Sequence, residues 1–328
     1  YTPWLRNLVP EISLSYLSFY KKISDRQAFG TSLRYFSLGN IQFTDQFGQQ
    51  TRQFNPNEFA IDGAYALKLS ERFSGGVALR YVYSNLTGGV NVVGADTKPG
   101  QSVAFDLSGY YENDDMSVGG KDLTTAFGFN FSNIGAKMAY SNTAKRDFIP
   151  HNMKLGSRAT VDLDDYNSLT FSFDINKLLV PTPPELITAV DLNGNTNYND
   201  EGDISPAEAL AANNLAKSDY RKTSWTSGIF KSFNDAPDGF SEELKEFTWA
   251  LGAEYWYQDS FALRAGYFNE SEEKGARKFF ALGAGFKYTA INIDLSYLFS
   301  ASKIQSPLEN TLRFSLTFNF GDGEYSEY

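Results

Sequence analysis

No cysteine occurs in the 328 residues, so the chain has no disulfide framework, no thiolate nucleophile and no cysteine-ligated metal. Histidine is nearly absent: His151 is the single one. A histidine-rich metal site is thereby excluded. A Ser–His–Asp system could form only around this residue, and no nucleophile-elbow sequence lies nearby. No apolar run approaches the length of a membrane-spanning helix. Positive charge is scarce, with 29 Lys and Arg against 39 Asp and Glu. The net charge of −10 argues against nucleic acid and fits acidic external loops. The chain starts at Tyr1 without Met and shows no signal peptide, so a removed leader and a further segment before residue 1 are expected.

Aromatic residues, by contrast, are abundant: 16% of the chain, with 28 Phe and 20 Tyr. The stretch Thr311–Phe320 shows how they are used. Leu312, Phe314, Leu316, Phe318 and Phe320 alternate strictly with Thr311, Arg313, Ser315, Thr317 and Asn319. Period-two alternation places one set on each face of a strand. Similar segments recur at Glu11–Lys22, Gln27–Phe43, Phe54–Leu69, Phe73–Thr87, Gln101–Asn113, Lys121–Ser132, His151–Leu163, Asn167–Val180, Glu246–Tyr257, Ser260–Glu270, Arg277–Tyr288, Ile291–Ala301 and Glu309–Phe320. Charges such as Arg264, Glu270 and Asp294 fall on the polar face in or near mid-strand, where lipid contact would cost roughly 2–4 kcal/mol and a polar lumen would not. Aromatics then serve as girdles at the two membrane interfaces.

Short connections near Asp25, Glu71, Asp164–Asp165, Asp259 and Ala290 alternate with long ones at Gly39–Gln53, Gly88–Gly100, Asn133–Pro150, Pro181–Lys245, Ser271–Ala276 and Ser302–Leu308. Asn113–Gly120 reads as a turn of middling length. Parity requires one more ascending strand at Tyr1–Leu5, turning at Asn7–Pro10, for a total of fourteen. The expectation is an all-β fold, a 14-stranded antiparallel transmembrane β-barrel with long extracellular loops and short periplasmic turns, residues 1–328 forming one domain.

The long extracellular loop, about residues 181–245, opens with Pro181-Thr-Pro-Pro184, which cannot extend a ladder. Within it, Ile204–Asn214 reads as a short helix with Ser205 at N-cap, Pro206 at N1 and Glu208 at N3. Ser241–Glu246 reads as a helical turn. Four aromatics, Trp225, Phe230, Phe233 and Phe240, make this loop the candidate partner-binding site. They could equally fold inward and plug the lumen.

Other candidates carry little chemistry. Asp191–Asp200 places oxygen ligands at alternate positions, but the glycine and acidic residue of a helix–loop–helix calcium site are missing. Gly, Asn and Asp also dominate ordinary turns, so composition leaves both a calcium loop and a plain turn open. His151 reads as a rim or lumen residue. The acidic pairs Asp114–Asp115, Asp164–Asp165 and Glu272–Glu273 read as solvated turn charges. No catalytic residue, cofactor or metal is expected, and the chain reads as a non-enzyme.

Seven stretches carry a resemblance. They are Leu33–Gly39, Ser132–Gly135, Phe148–Gly156, Lys177-Leu-Leu-Val-Pro-Thr-Pro-Pro184, Ser232-Phe-Asn-Asp-Ala-Pro-Asp-Gly-Phe-Ser-Glu-Glu-Leu-Lys-Glu246, Arg264–Tyr267 and Ser306–Phe314. Together they resemble the PorV family of type IX secretion outer-membrane proteins, within the long-chain fatty-acid transporter-like barrels. The resemblance implies a fourteen-stranded barrel of non-enzymatic role. It implies binding to the C-terminal domains of secreted cargo and to the large translocon barrel, whose lateral opening such proteins cap. It further implies delivery to a surface attachment complex that includes a sortase. The wider superfamily implies the alternative, an outer-membrane channel for hydrophobic small molecules such as fatty acids. Location in the bacterial outer membrane, with lipid around the wall and loops at the cell surface, follows from either.

Overall fold

The computed structural model describes residues 2–3, 12–44, 47–89, 91–92, 95–141, 146–192, 198, 202–302 and 311–320. In chain order its strands are β1 (Thr2–Pro3), β2 (Ile12–Ser24), β3 (Gln27–Leu38), β4 (Ile41–Thr44), β5 (Gln50–Phe54), β6 (Asn57–Lys68), β7 (Phe73–Asn85), β8 (Asn91–Val92), β9 (Ala95–Asp96), β10 (Gly100–Val118), β11 (Lys121–Gly135), β12 (Asn152–Asp164), β13 (Asn167–Leu178), β14 (Phe247–Tyr257), β15 (Phe261–Asn269), β16 (Lys278–Tyr288), β17 (Ile291–Ser300) and β18 (Leu312–Phe318). Three helices, α1 (Pro206–Lys222), α2 (Trp225–Lys231) and α3 (Phe240–Lys245), fill much of the connection between β13 and β14.

Fourteen of the strands form one sheet in the order β1-β2-β3-β6-β7-β10-β11-β12-β13-β14-β15-β16-β17-β18. Each pairs antiparallel with its neighbour, a transmembrane β-barrel built as an up-and-down meander. The sheet's ends meet: the Tyr20 hydroxyl on β2 donates to Asn319 Oδ1, just past β18, at 2.9 Å. A membrane-spanning sheet needs its first and last strands together, because lipid cannot satisfy open ladder edges. The hairpins β4–β5 and β8–β9 stand apart within two of the long connections.

The two faces separate as the alternation predicts. Leu17, Leu79, Phe127, Leu251, Leu263 and Leu295 are among the many large apolar side chains left exposed on the outside. A continuous apolar skin of this kind marks a membrane-contacting surface. The inside is polar and cross-linked. Arg80 on β7 bridges Asp62 on β6 and Asp106 on β10, the latter at 2.9 Å, and Arg34 on β3 reaches Asp62 at 3.3 Å. Elsewhere on the wall Arg264 on β15 joins Glu254 on β14 and Asp294 on β17, each at 2.5 Å. The mid-strand charges face one another across neighbouring strands or, for Arg264 and Asp294, over β16, and none of these is spent against lipid.

Three expectations change. The segment beginning at Gln27 ends as a wall strand at Leu38, and residues 41–44 pair with 50–54 instead. β10 runs on to Val118 and turns at Gly119–Gly120, both with positive φ, so Asn113–Gly120 is strand with a two-residue turn. Asp114 and Asp115 accordingly lie in β10, with Asp115 paired to Arg72. Of the strand expected at Tyr1–Leu5, only Thr2–Pro3 is described, paired with β2. The turn at Asn7–Pro10, most of Ser302–Leu308 and most of Asp191–Asp200 lie outside the described residues.

Candidate functional site

The long connections all emerge at one end of the barrel, and two of them meet over its rim, with Phe148 of the loop after β11 against Tyr220 of the helical connection. The loop after β11 folds inward. Met138 and Ile149 bury against Ala104 and Val82, which share the inward face with Arg80 and Asp106. The Tyr140 hydroxyl donates to Ser84 Oγ at 2.9 Å, and Ser102 Oγ to the Ala136 carbonyl at 2.6 Å. At Gly100 a side chain would meet Met138 Sδ at 2.5 Å, so this inward packing requires glycine.

The helical connection folds outward. On β13 the residues Leu169, Phe171, Phe173, Ile175 and Lys177 share one face by strand alternation, and Phe171 and Phe173 are exposed to the outside. Lys177 therefore starts on the outer face, opposite Met153 on β12 and Phe247 on β14. It is nevertheless fully buried, as are His151 and Leu179 next to it, with Met153 nearly so. The cover comes from α2, α3 and the end of α1.

Lys177 is the centre of this cover. Its ammonium donates to Glu243 Oε2 at 3.2 Å and Glu246 Oε2 at 2.6 Å, and sits over the rings of Phe247 and Phe233 at 5.1 and 5.7 Å. The other Glu243 oxygen accepts the backbone N–H groups of Asp235 at 2.6 Å and Ala236 at 2.8 Å. Thr182 donates its N–H to Asp235 Oδ2 at 3.1 Å, and its hydroxyl makes 3.1 Å contacts with Asp235 Oδ1 and Glu246 Oε1. Lys274, from the loop after β15, closes the far side on Glu242 and Glu246. A buried ammonium is tolerated only when paired and fully hydrogen-bonded, which these carboxylates supply. Burial pushes the Glu243 carboxyl up, but its two backbone donors and Lys177 outweigh that and hold it below its ordinary value. Burial raises Asp235 despite the Thr182 hydrogen bonds. The stretches 177–184 and 232–246, distinctive in sequence, are thus the two halves of one packed unit.

Aromatics complete the seat. His151 Nε2 lies 3.1 Å from the Gly135 carbonyl, and its ring meets Trp225 edge-on at 6.2 Å and Phe148 at 6.4 Å. Its Nδ1 is buried without a partner among the described residues. Burial holds the imidazole below its ordinary value, and hence neutral. Phe148 also stacks edge-on with Tyr220 at 5.4 Å, and the Lys137 ammonium sits 3.7 Å over its ring. Gly228 in α2 lets the helix approach: a Cβ there would meet Phe148 at 2.7 Å and Pro181 at 3.0 Å.

The four aromatic candidates divide. Trp225 and Phe233 face the wall as packing partners of His151 and Lys177, while Phe230 and Phe240 project outward, 79% and 76% exposed. His151 is a rim residue, on the outer flank rather than in the lumen. The helix expected at Ile204–Asn214 extends from Pro206 to Lys222, with the Ser205–Glu208 capping box in place. Lys177 is the residue that the sequence reading passed over. Its signal was there: a lysine in register with Phe171, Phe173 and Ile175 breaks the apolar face.

A model of the family described as type IX secretion system protein PorV matches residues 1–185, more than half of the chain. The chain belongs to the PorV family. It is therefore an outer-membrane component of type IX protein secretion, built on a β-barrel scaffold. Among solved structures, the CymD monoaromatic hydrocarbon channel is similar at 13% identity and TM-score 0.43, over 94% of this chain and 85% of that one. The P. putida toluene transporter TodX is similar at 12% and 0.42, over 92% and 79%. A Pseudomonas aeruginosa FadL homologue is similar at 12% and 0.32, over 93% and 74%. Likenesses this distant carry no weight beyond their mention. The curated proteins searched contain no match.

Proposed function

We propose that this protein is a non-enzymatic cargo-binding and shuttling subunit of type IX secretion. It binds the C-terminal domains of secreted cargo, caps the lateral opening of the large translocon barrel and passes cargo to the surface attachment complex with its sortase. The family match over residues 1–185 carries this reading. The helical connection between β13 and β14 is proposed as the partner-facing element at the cell surface. Trp225 and Phe233 seat it on the wall; Phe230 and Phe240 are left for contact. The alternative, a channel for fatty acids or similar molecules, needs an apolar conduit. The Arg34–Asp62–Arg80–Asp106 network on the inward face favours secretion over that alternative.

Capture of the tagged barrel from a mild-detergent extract tests the proposal. Recovery of a large barrel translocon and of secreted cargo supports it, and recovery of neither sinks it. Deleting 191–215 localises recognition: lost secretion with unchanged heat-modifiable gel mobility would assign it to this connection.

A further inference from the structure

The outward-folded helices lie directly above an aromatic belt. Two residues below the Lys177–Phe247 pair on the same outer face is Trp249, about 7 Å down the strand. Trp249 packs against Tyr267 at 5.5 Å, and Tyr267 against Phe280 at 4.9 Å. Clusters of this kind mark the level of the membrane–water interface on a barrel wall. α3 rests on the wall just above that level, through Glu243 and Lys177. On the flank beside Glu243 it presents Phe240 and Leu244, four residues apart and so on one helix face, 76% and 55% exposed. Phe230 projects from the neighbouring α2, followed by Lys231 at the helix end. α3 also carries Glu242 and Glu243, both tied down by Lys274 and Lys177, so what it and α2 offer the headgroup layer is exposed apolar side chains with Lys231 and Lys245 at the helix ends.

We propose that α2 and α3 form a lateral foot, with Phe230, Phe240 and Leu244 seated in the interfacial layer of the adjoining leaflet. The occupant of this apolar face is lipid, because the face is continuous with the wall that lipid already covers. A second barrel arriving in the plane of the membrane would exchange these lipid contacts for its own. The same phenyls are proposed above for partner contact, so the foot describes them before a partner arrives; its test holds no secretion partner, and its failure is distinguishable from failure of the proposed function.

The absence of cysteine makes the test direct. Thr226→Cys and Ser241→Cys, one at a time in the full chain, place a single environment-sensitive fluorophore beside each phenyl while leaving it intact. The purified protein is inserted in phosphatidylcholine vesicles carrying a nitroxide near the headgroup or, separately, at the chain end. Both labels should be quenched more by the shallow nitroxide and shielded from iodide roughly fivefold relative to the urea-unfolded chain. Adding Phe230→Ser and Phe240→Ser should restore iodide access with the barrel still heat-modifiable. Labels that feel no nitroxide and stay as open to iodide as in the unfolded chain would overturn the proposal, as would labels whose shielding is indifferent to the two phenyls.

Discussion

Lys177 and Glu246 are 69 residues apart in sequence, and their charged atoms are 2.6 Å apart in the fold. The contact ties the top of β13 to the turn that starts β14, with sixty-odd residues of connection gathered between them. Because the ammonium is wholly enclosed, the pair works as a latch on the helical cover rather than as a solvated ion pair.

Replacing the lysine should therefore release the cover without unfolding the wall. Lys177→Met leaves Glu243 enclosed without a cation and Glu246 with Lys274 alone, a loss of about 3–5 kcal/mol. Limited proteolysis should cut within residues 232–246 far faster than in the parent, while heat-modifiable mobility is retained. Unchanged cleavage would show that the aromatics alone hold the helices down.

Acid should loosen the same cover in two stages. His151 is held below its ordinary 6.5, so its contribution is whole above that value and is lost as pH falls through its lowered pKa. Glu243 is held below its ordinary 4.5, and its contribution goes in a second, more acidic window. Asp235, raised by burial, acts in the opposite sense and blunts the second stage. Hydrogen exchange of the 225–245 amides against pH reads both stages. In His151→Gln the first stage should vanish and the second remain; an unaltered first stage would refute the assignment.

The inward network gives a separate prediction for the wall. Arg80→Met strands Asp106 and leaves Asp62 with Arg34 alone, and the heat-modification midpoint should fall by the equivalent of about 3–5 kcal/mol. Adding Asp62→Asn and Asp106→Asn should recover part of the loss, since no carboxylate then lacks a partner. A triple variant no better than the single one would argue that packing, not charge, matters there.

Ser205→Ala removes the hydroxyl that accepts the Glu208 N–H at 3.2 Å. Loss of an N-cap costs about 1 kcal/mol, so amide exchange in the first turn of α1 should quicken roughly fivefold, with α2 and α3 unaffected. Equal quickening across all three helices would mean that they open as one unit.

Much of the wall was legible because its physics is local. Alternation in Thr311–Phe320 or Ile291–Ala301 records which side chain meets lipid and which meets the lumen, and strand limits followed within a few residues. The reading slipped where a strand outlasts its apolar pattern. β10 continues through Asn113–Met116 because Asp115 finds Arg72 in the turn before β7 and Gly119–Gly120 makes the turn, neither of which apolar spacing reports. The candidate site was half legible. Aromatic residues in a long connection announced a surface, and the Ser205 box announced a helix. Which way each ring points depends on Lys177, whose partners lie 66 and 69 residues downstream, and contacts at that separation leave no periodic trace.

One result of the outward fold concerns shape. A cylinder of fourteen strands is much the same from every side; among the described residues of this one, helices are built up over β12, β13 and β14. A neighbour sliding through a crowded bilayer would meet a raised shoulder on that flank. Its place on the circumference is set by the position of a single misplaced lysine.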